Sequence, residues 1–301
     1  MNRDSSPPNL DTIPLKGVLN YLNLKERSVL RKVNRALREA VDSNCTTVSL
    51  NFDFCHSQFI TLNLDDIEIV YCSDGVNQCE MLVYQKRKTV KSGYVETVKK
   101  DLGIYFKNPN TRITNLKLQW DYDTHLYEGL CQILETIFDE LSQNGLGGLR
   151  VETLELYSYN GAQIARLLRL IDVNTINSLR LDTHVHLYDG DQFVNLPQWE
   201  RVRDFQLVGS HFPHKIFNVL GNVTSFNIKH ENGVDLEIII EPIYLFVSTV
   251  LNPSENFQYG QITCGNIRLL DIPFPMLNTS RILGNVSVTI QRNTITMEKL
   301  L

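Results

Sequence analysis

Ile113-Thr114-Asn115-Leu116-Lys117-Leu118 is followed by four stretches of the same form: Val151-Glu152-Thr153-Leu154-Glu155-Leu156, Ile176-Asn177-Ser178-Leu179-Arg180-Leu181, Val202-Arg203-Asp204-Phe205-Gln206-Leu207 and Val223-Thr224-Ser225-Phe226-Asn227-Ile228. Each puts apolar residues at positions 1, 4 and 6 with polar residues between. The last three positions alternate as a half-buried β-strand does. Successive units are offset by 38, 25, 26 and 21 residues, room for a strand and a returning helix. Helical spacing lies between them: Leu130, Leu134, Ile137, Phe138 and Leu141 before Asn144-Gly145, then Ile164, Leu167, Leu168 and Ile171, then Ile216, Phe217 and Leu220 after Pro213, with Gly221 as a stop.

Two architectures fit this rhythm. The preferred one is an irregular leucine-rich-repeat-like strand/helix solenoid, in which neighbouring units stack to bury each other's apolar sides. The other is an α/β domain with a mostly parallel sheet. Before the first unit the period is already strand-like, with Val48, Leu50 and Phe52 on one face, then Ile60, Leu62 and Leu64, then Ile67 to Tyr71 and Met81 to Tyr84 around an Asp74-Gly75 turn. The cluster Lys86-Arg87-Lys88 reads as a solvated loop. After the last unit hairpins are expected. Glu231-Asn232-Gly233 would join Phe226–Ile228 to Leu236–Ile240, and Val286 to Ile290 would pair with Thr294 to Met297.

The chain's 301 residues exclude a single small module, and 43% hydrophobic with 21% charged residues exclude a disordered one. Charge is uneven: residues 1–44 hold eight Lys or Arg against five Asp or Glu, +3, and the other 257 hold 21 against 29, −8. The basic part is helical in period. Leu15, Val18, Leu19 and Leu22 form one stripe behind Pro14, and Leu30, Val33, Leu37 and Val41 form another, giving two or three short helices over 13–43. So short a module cannot bury all its apolar surface internally, so the remainder is a binding surface.

Leu10, Ile13-Pro14-Leu15, Val18-Leu19, Tyr21-Leu22, Leu30-Arg31-Lys32-Val33-Asn34-Arg35 and Leu37-Arg38 resemble an F-box over residues 8–45. The run from Arg27 to Arg38 resembles the form found in nematode F-box proteins. The strands that follow, the loop at Tyr71 to Gly75 and Phe226-x-Ile228-x-x-x-x-Gly233 resemble the FTH domain that follows the F-box in those proteins. The resemblance implies an α/β (α+β) chain with a disordered N-terminus at 1–7, a three-helix F-box at 8–45, and an FTH, leucine-rich-repeat-like target-binding domain with C-terminal β-hairpins at 46–301. It implies a non-catalytic substrate-recognition adaptor of a Skp-cullin-F-box ubiquitin ligase, acting in protein degradation. A Skp-family linker, and through it a cullin, would bind Leu10, Pro14, Leu15, Val18, Leu19, Leu22, Leu30 and Val33.

Strand geometry places the target. Residues between the buried apolar positions point to the solenoid's inner surface: Asn115, Lys117 and Gln119, Thr153, Glu155 and Tyr157, Ser178, Arg180 and Asp182, Asp204 and Gln206, and Ser225, Asn227 and Lys229. This polar, mixed-charge set with one aromatic suits an unknown protein partner. Two rivals stay open: a non-ligase repeat scaffold whose N-terminal helices only cap it, and an RNA-binding protein using Arg27, Arg31, Arg35 and Arg38. The second is disfavoured because no aromatics interleave with the arginines.

Catalytic signatures are missing, with no G-x-x-x-x-G-K-[ST], G-x-G-x-x-G after a strand, G-x-S-x-G or H-E-x-x-H. Neither His184-x-His186 nor His211-x-x-His214 has a third ligand at a familiar spacing. No cofactor or metal is expected, and Glu237 and Glu241 read as strand ends. The six cysteines show no C-x-x-C spacing and read as core residues of a reducing compartment. The opening MNRDSSPPNLDTIPLK has no apolar core of a signal peptide, and the most apolar run, Leu236 to Leu251, is too short and too charged to span a bilayer. A cytoplasmic or nuclear protein is expected, without nucleic acid or membrane as partner.

Overall fold

The computed structural model describes residues 19, 22, 24–30, 32–43, 47–56, 59–73, 77–106, 111–120, 135–136, 139, 148–157, 159–183, 191–209, 216–230, 246–251, 254–264, 279–291 and 294–300. They build one sheet of 14 strands, ordered β12-β13-β14-β11-β10-β9-β8-β7-β6-β1-β2-β3-β4-β5. Its centre is parallel: β1 (Thr47–His56), β6 (Arg112–Trp120), β7 (Val151–Tyr157), β8 (Ser178–Thr183), β9 (Asp204–Gly209), β10 (Ser225–His230) and β11 (Tyr259–Cys264) run in one direction. On one flank β2 (Phe59–Leu64), β3 (Ile67–Ser73), β4 (Cys79–Val83) and β5 (Lys86–Val90) continue antiparallel. On the other, β14 (Thr294–Lys299), β13 (Val286–Gln291) and β12 (Thr279–Leu283) do the same.

This corrects the expected fold class. The chain is not a three-helix module followed by a repeat solenoid, because a single mixed sheet extends in hydrogen-bonded continuity past both ends of the recurring units. The units do set the parallel centre, whose strand entries repeat one backbone bond. Ile113 N donates to Arg150 O at 2.8 Å, Asn177 N to Glu152 O at 2.8 Å, Arg203 N to Asn177 O at 2.8 Å, Thr224 N to Arg203 O at 2.7 Å and Gln258 N to Thr224 O at 2.8 Å. What the local pattern could not show is that antiparallel strands complete the sheet on each side, since pairing partners depend on distant segments.

The expected hairpin from β10 to Leu236–Ile240 falls on residues 231–245, which lie outside the described residues; both edges of β10 itself are taken by β9 and β11, each in parallel. The Lys86-Arg87-Lys88 cluster is strand β5 rather than a loop. The pairing of Val286–Ile290 with Thr294–Met297 is observed in β13 and β14.

In the N-terminal part, two helices are described, α1 (Leu24–Leu30) and α2 (Arg35–Ser43). The stripe from Leu30 to Val41 is broken at a turn because Asn34 caps α2: its Oδ1 accepts from Leu37 N at 2.8 Å. Val33 falls in that turn and is exposed. Four further α-helices are described: α3 (Tyr94–Phe106), α4 (Gly161–Arg169), α5 (Asp191–Val194) and α6 (Ile216–Val219), the last two of only four residues each.

The core lies on the side of the sheet that these helices cover. Register stacks Leu50, Leu116, Leu154, Leu179, Phe205 and Phe226 in one row, and Phe52, Leu118, Leu156, Leu181, Leu207, Ile228, Ile262 and Ile295 in the next; all are buried. Neighbours in a row lie about 4.8 Å apart, so each touches the next and the rows exclude water. Ile164, Leu167 and Leu168 of α4 belong to the same core. Trp199 meets Phe205 edge-on at 5.0 Å between centroids, and its Nε1 donates to Phe193 O at 2.9 Å. The buried amide of Gln198 closes the end of α4, its Nε2 donating to Leu168 O at 2.8 Å and to Ile171 O at 3.1 Å.

Candidate functional site: the polar face of the sheet

Strand alternation sends every second side chain of the parallel centre away from the helices. Register aligns them across chains of neighbours. Lys117, Glu155, Arg180, Gln206 and Asn227 occupy one row on β6 to β10. Gln119, Tyr157, Asp182, Val208 and Lys229 occupy the next. Asn115, Thr153, Ser178, Asp204 and Ser225 form a third, so all fourteen residues expected on the inner surface share one face, and Val208 is the apolar member that breaks the second row.

The middle of the face is a charge network. Glu155 is buried, and its Oε1 accepts from Arg180 Nη1 at 3.0 Å while its Oε2 accepts from Tyr157 Oη at 3.2 Å. Lys117 Nζ sits 4.6 Å from the centroid of the Tyr157 ring, a cation over an electron-rich face. Burial pushes the Tyr157 hydroxyl up, and the neighbouring Glu155 charge adds to the shift. The arrangement holds Tyr157 protonated as a donor and orients the cations of Lys117 and Arg180.

Toward the start of β8 to β11 the face sinks into a recess of about 450 Å³, lined among others by Arg180, Asp204, Gln206, Ser225, Asn227 and Tyr259. Ser225 Oγ donates to Asp204 Oδ1 across the floor. Tyr259 is exposed and stands outside the expected target-binding set, as does Gln261, which extends the Lys117 row onto β11 opposite Asn227. The signal was present. Phe257-x-x-Gly260-x-Ile262 repeats the unit spacing with glycine at the middle apolar position. On the other flank the same row runs on through Asn51 and Asn63 to Glu68.

The expected linker residues are less fully placed. Leu10, Pro14, Leu15 and Val18 lie outside the described residues. Leu19 is buried, Leu22 and Leu30 are half-buried, and Val33 is exposed together with Val29, which the sequence reading did not single out. The paired histidines 184, 186, 211 and 214, and Glu237 and Glu241, also lie outside. Among the described residues no three His, Cys, Asp or Glu side chains cluster as a metal site, and no helix is long and apolar enough to cross a membrane.

Residues 132–272 match the FTH domain family. That stretch is similar to an FTH domain. Over 276 residues it is also 23% identical to F-box A protein 224 of Caenorhabditis elegans, in an alignment covering 87% of this chain and 68% of that protein. The resemblance to nematode F-box proteins with an FTH domain is thereby supported on two independent comparisons. The FTH match takes in β7 to β11. It thus contains Glu155, Tyr157, Arg180 and the recess, whereas Lys117 and Gln119 on β6 precede it.

Proposed function

We propose that the protein is a substrate-recognition adaptor of a Skp-cullin-F-box type ubiquitin ligase. Residues 8–45 bind a Skp-family linker, and the polar face of the FTH-containing part, residues 46–301, binds a protein target. It contributes recognition and no catalytic group; ubiquitin transfer belongs to other subunits. The compartment is then the cytoplasm, the nucleus or both.

The observation that carries this reading is the polar row Lys117–Glu155–Arg180–Gln206–Asn227, aligned by register across five strands. Its centre is ordered by ion pairing, so little side-chain entropy is lost when a partner covers it. A mixed set of donors, acceptors and one ring fits a protein surface rather than a phosphate backbone. The similarity to F-box A protein 224 supports the linker half.

The test has two arms in the full chain. Replacing Val29 and Val33 by Asp should abolish co-purification with the linker and leave target capture intact, because both side chains are exposed. Replacing Glu155, Tyr157 and Arg180 together by Ala should do the reverse. Unchanged capture in the second arm rejects the polar face as the recognition surface.

A second reading has one observation in its favour. Leu19, expected at the linker interface, is only 1% exposed, as it would be if the N-terminal helices capped a non-ligase scaffold. Deletion of residues 1–44 separates the two: a cap leaves an aggregating protein, an adaptor motif leaves a soluble one.

A further inference from the structure

The 14-stranded sheet ends in two strands that each have one hydrogen-bonded neighbour among the described residues, β12 and β5, and they are built differently. β12 carries Ile282, 67% exposed, beside a single basic residue, Arg281. β5 is Lys86-Arg87-Lys88-Thr89-Val90, exposed along its first four residues. Residues 84–100 hold six Lys or Arg, at 86, 87, 88, 91, 99 and 100, against one acid, Glu96, which is +5 inside a chain of net charge −5.

The register says which way these cations point. Lys88 pairs with Met81 and Lys86 with Val83, and Met81 and Val83 pack on the core. Lys86 and Lys88 are therefore on the helix side of the edge, where α3 brings Lys99 and Lys100. Arg87 is on the opposite side, 3.4 Å from Glu80. Lys88 and Lys100 both act on Asp101, whose carboxylate also accepts from the buried Tyr71 hydroxyl at 3.0 Å. With Asp101 counted, residues 84–101 still hold six Lys or Arg against two acids, +4.

The turn leading into β5 adds a second feature. Tyr84 and Gln85 both have positive φ, 48° and 62°. That is the mirror-image hairpin turn, which Asn-Gly occupies without cost. A tyrosine held there at some strain stands half exposed at the head of the edge strand.

We propose that the outer edge of β5 docks an extended acidic protein segment, which joins the sheet as a further strand with acidic side chains at alternate positions facing Lys86 and Lys88. Strand addition supplies main-chain hydrogen bonds, the alternating cations supply register and selectivity, and Tyr84 offers an apolar contact at one end. Lysines on an edge strand also guard against self-pairing. Guarding alone accounts for neither the cations contributed by α3, which is no edge, nor the unguarded Ile282 on the opposite edge. The docking strand is separate from the polar face and does not depend on the adaptor reading.

The probe is a fluorescent hexapeptide, Glu-Val-Glu-Val-Glu-Val with both ends blocked, titrated with the full chain and read by anisotropy. Binding is expected, with at least a tenfold loss when Lys replaces each Glu and a similar loss when Pro replaces the central Val, because proline cannot donate to the ladder. Lys86→Glu with Lys88→Glu should abolish binding of the Glu peptide and create binding of the Lys peptide. Hydrogen exchange on the unaltered protein needs no variant: amides of 86–90 should slow on adding the Glu peptide. Indifference to proline, unchanged exchange at 86–90, or an RNA hexamer that binds more tightly through the same lysines would each overturn the proposal.

Discussion

The ring of Phe226 occupies the space that a side chain on Gly260 would need. The two residues are paired on β10 and β11, and a Cβ built on Gly260 would stand 2.2 Å from Phe226 Cζ. The ring also stacks on Phe257, 5.9 Å between centroids, and tilts against Phe246 at 6.1 Å. One aromatic therefore fills two positions of the core row, its own and that of the strand beside it.

Gly260→Ala is expected to destabilise the fold by about 1–3 kcal/mol, the usual range for overpacking a tight core. Phe226→Leu in the same chain should recover part of the loss, while Phe226→Leu alone should be destabilising. Urea midpoints of the four proteins check this, and additive effects of the two substitutions would show that the pair is not in contact.

Asp101 on α3 has its acidity weakened, chiefly by burial, despite the hydrogen bond from Tyr71. A carboxyl whose folded pKa is raised adds stability below its unfolded value and loses it as pH rises through the folded value. Ionised Asp101 is therefore a cost at neutral pH. Asp101→Asn, which still offers an oxygen to Tyr71, should raise the melting temperature at pH 7 and change it little in acid.

Tyr157 should ionise above an ordinary phenol, with burial as the main cause and Glu155 as the second. Ultraviolet titration of the unaltered protein minus Tyr157→Phe isolates its step. Glu155→Gln should move that step down without returning it to the ordinary value, since burial remains. The sign for stability is again that of a raised acid: the contribution is present below the unfolded phenol pKa and lost as pH climbs through the folded one.

Helix α4 begins with a reciprocal cap. Asn160 Oδ1 accepts from Gln163 N, and Gln163 Oε1 accepts from Asn160 N, both at 2.9 Å. Asn160→Ala should cost about 1 kcal/mol, and Gln163→Ala less. The comparison is made by denaturant unfolding with the helix content followed in parallel.

The positive φ of Tyr84 and Gln85 makes the β4–β5 turn a place where substitution should stabilise. Replacing the pair by Asn-Gly is expected to raise stability by about 1 kcal/mol, seen as a higher urea midpoint. It also removes the exposed ring.

The amino-acid sequence by itself determined which residues of the central strands face the helix-covered core and which face the opposite side of the sheet. In Leu154-Glu155-Leu156-Tyr157, as in its four counterparts, alternation follows from the strand period, so the core rows and the polar row were legible before any partner strand was known. Only the tertiary structure decided what those strands build. Hydrogen bonds of β1 to β6, and of β11 to β14, join segments more than 30 residues apart, and no local pattern encodes such a choice. For the same reason Lys86-Arg87-Lys88 reads as a loop in isolation: an edge strand lacks the apolar alternation that buried strands show, and pairing with β4 alone makes it a strand. Gly260 was hidden for a steric reason. Its place in the apolar row is filled by a side chain from its neighbour, so the spacing persists in three dimensions while the letter that marks it is absent from the chain.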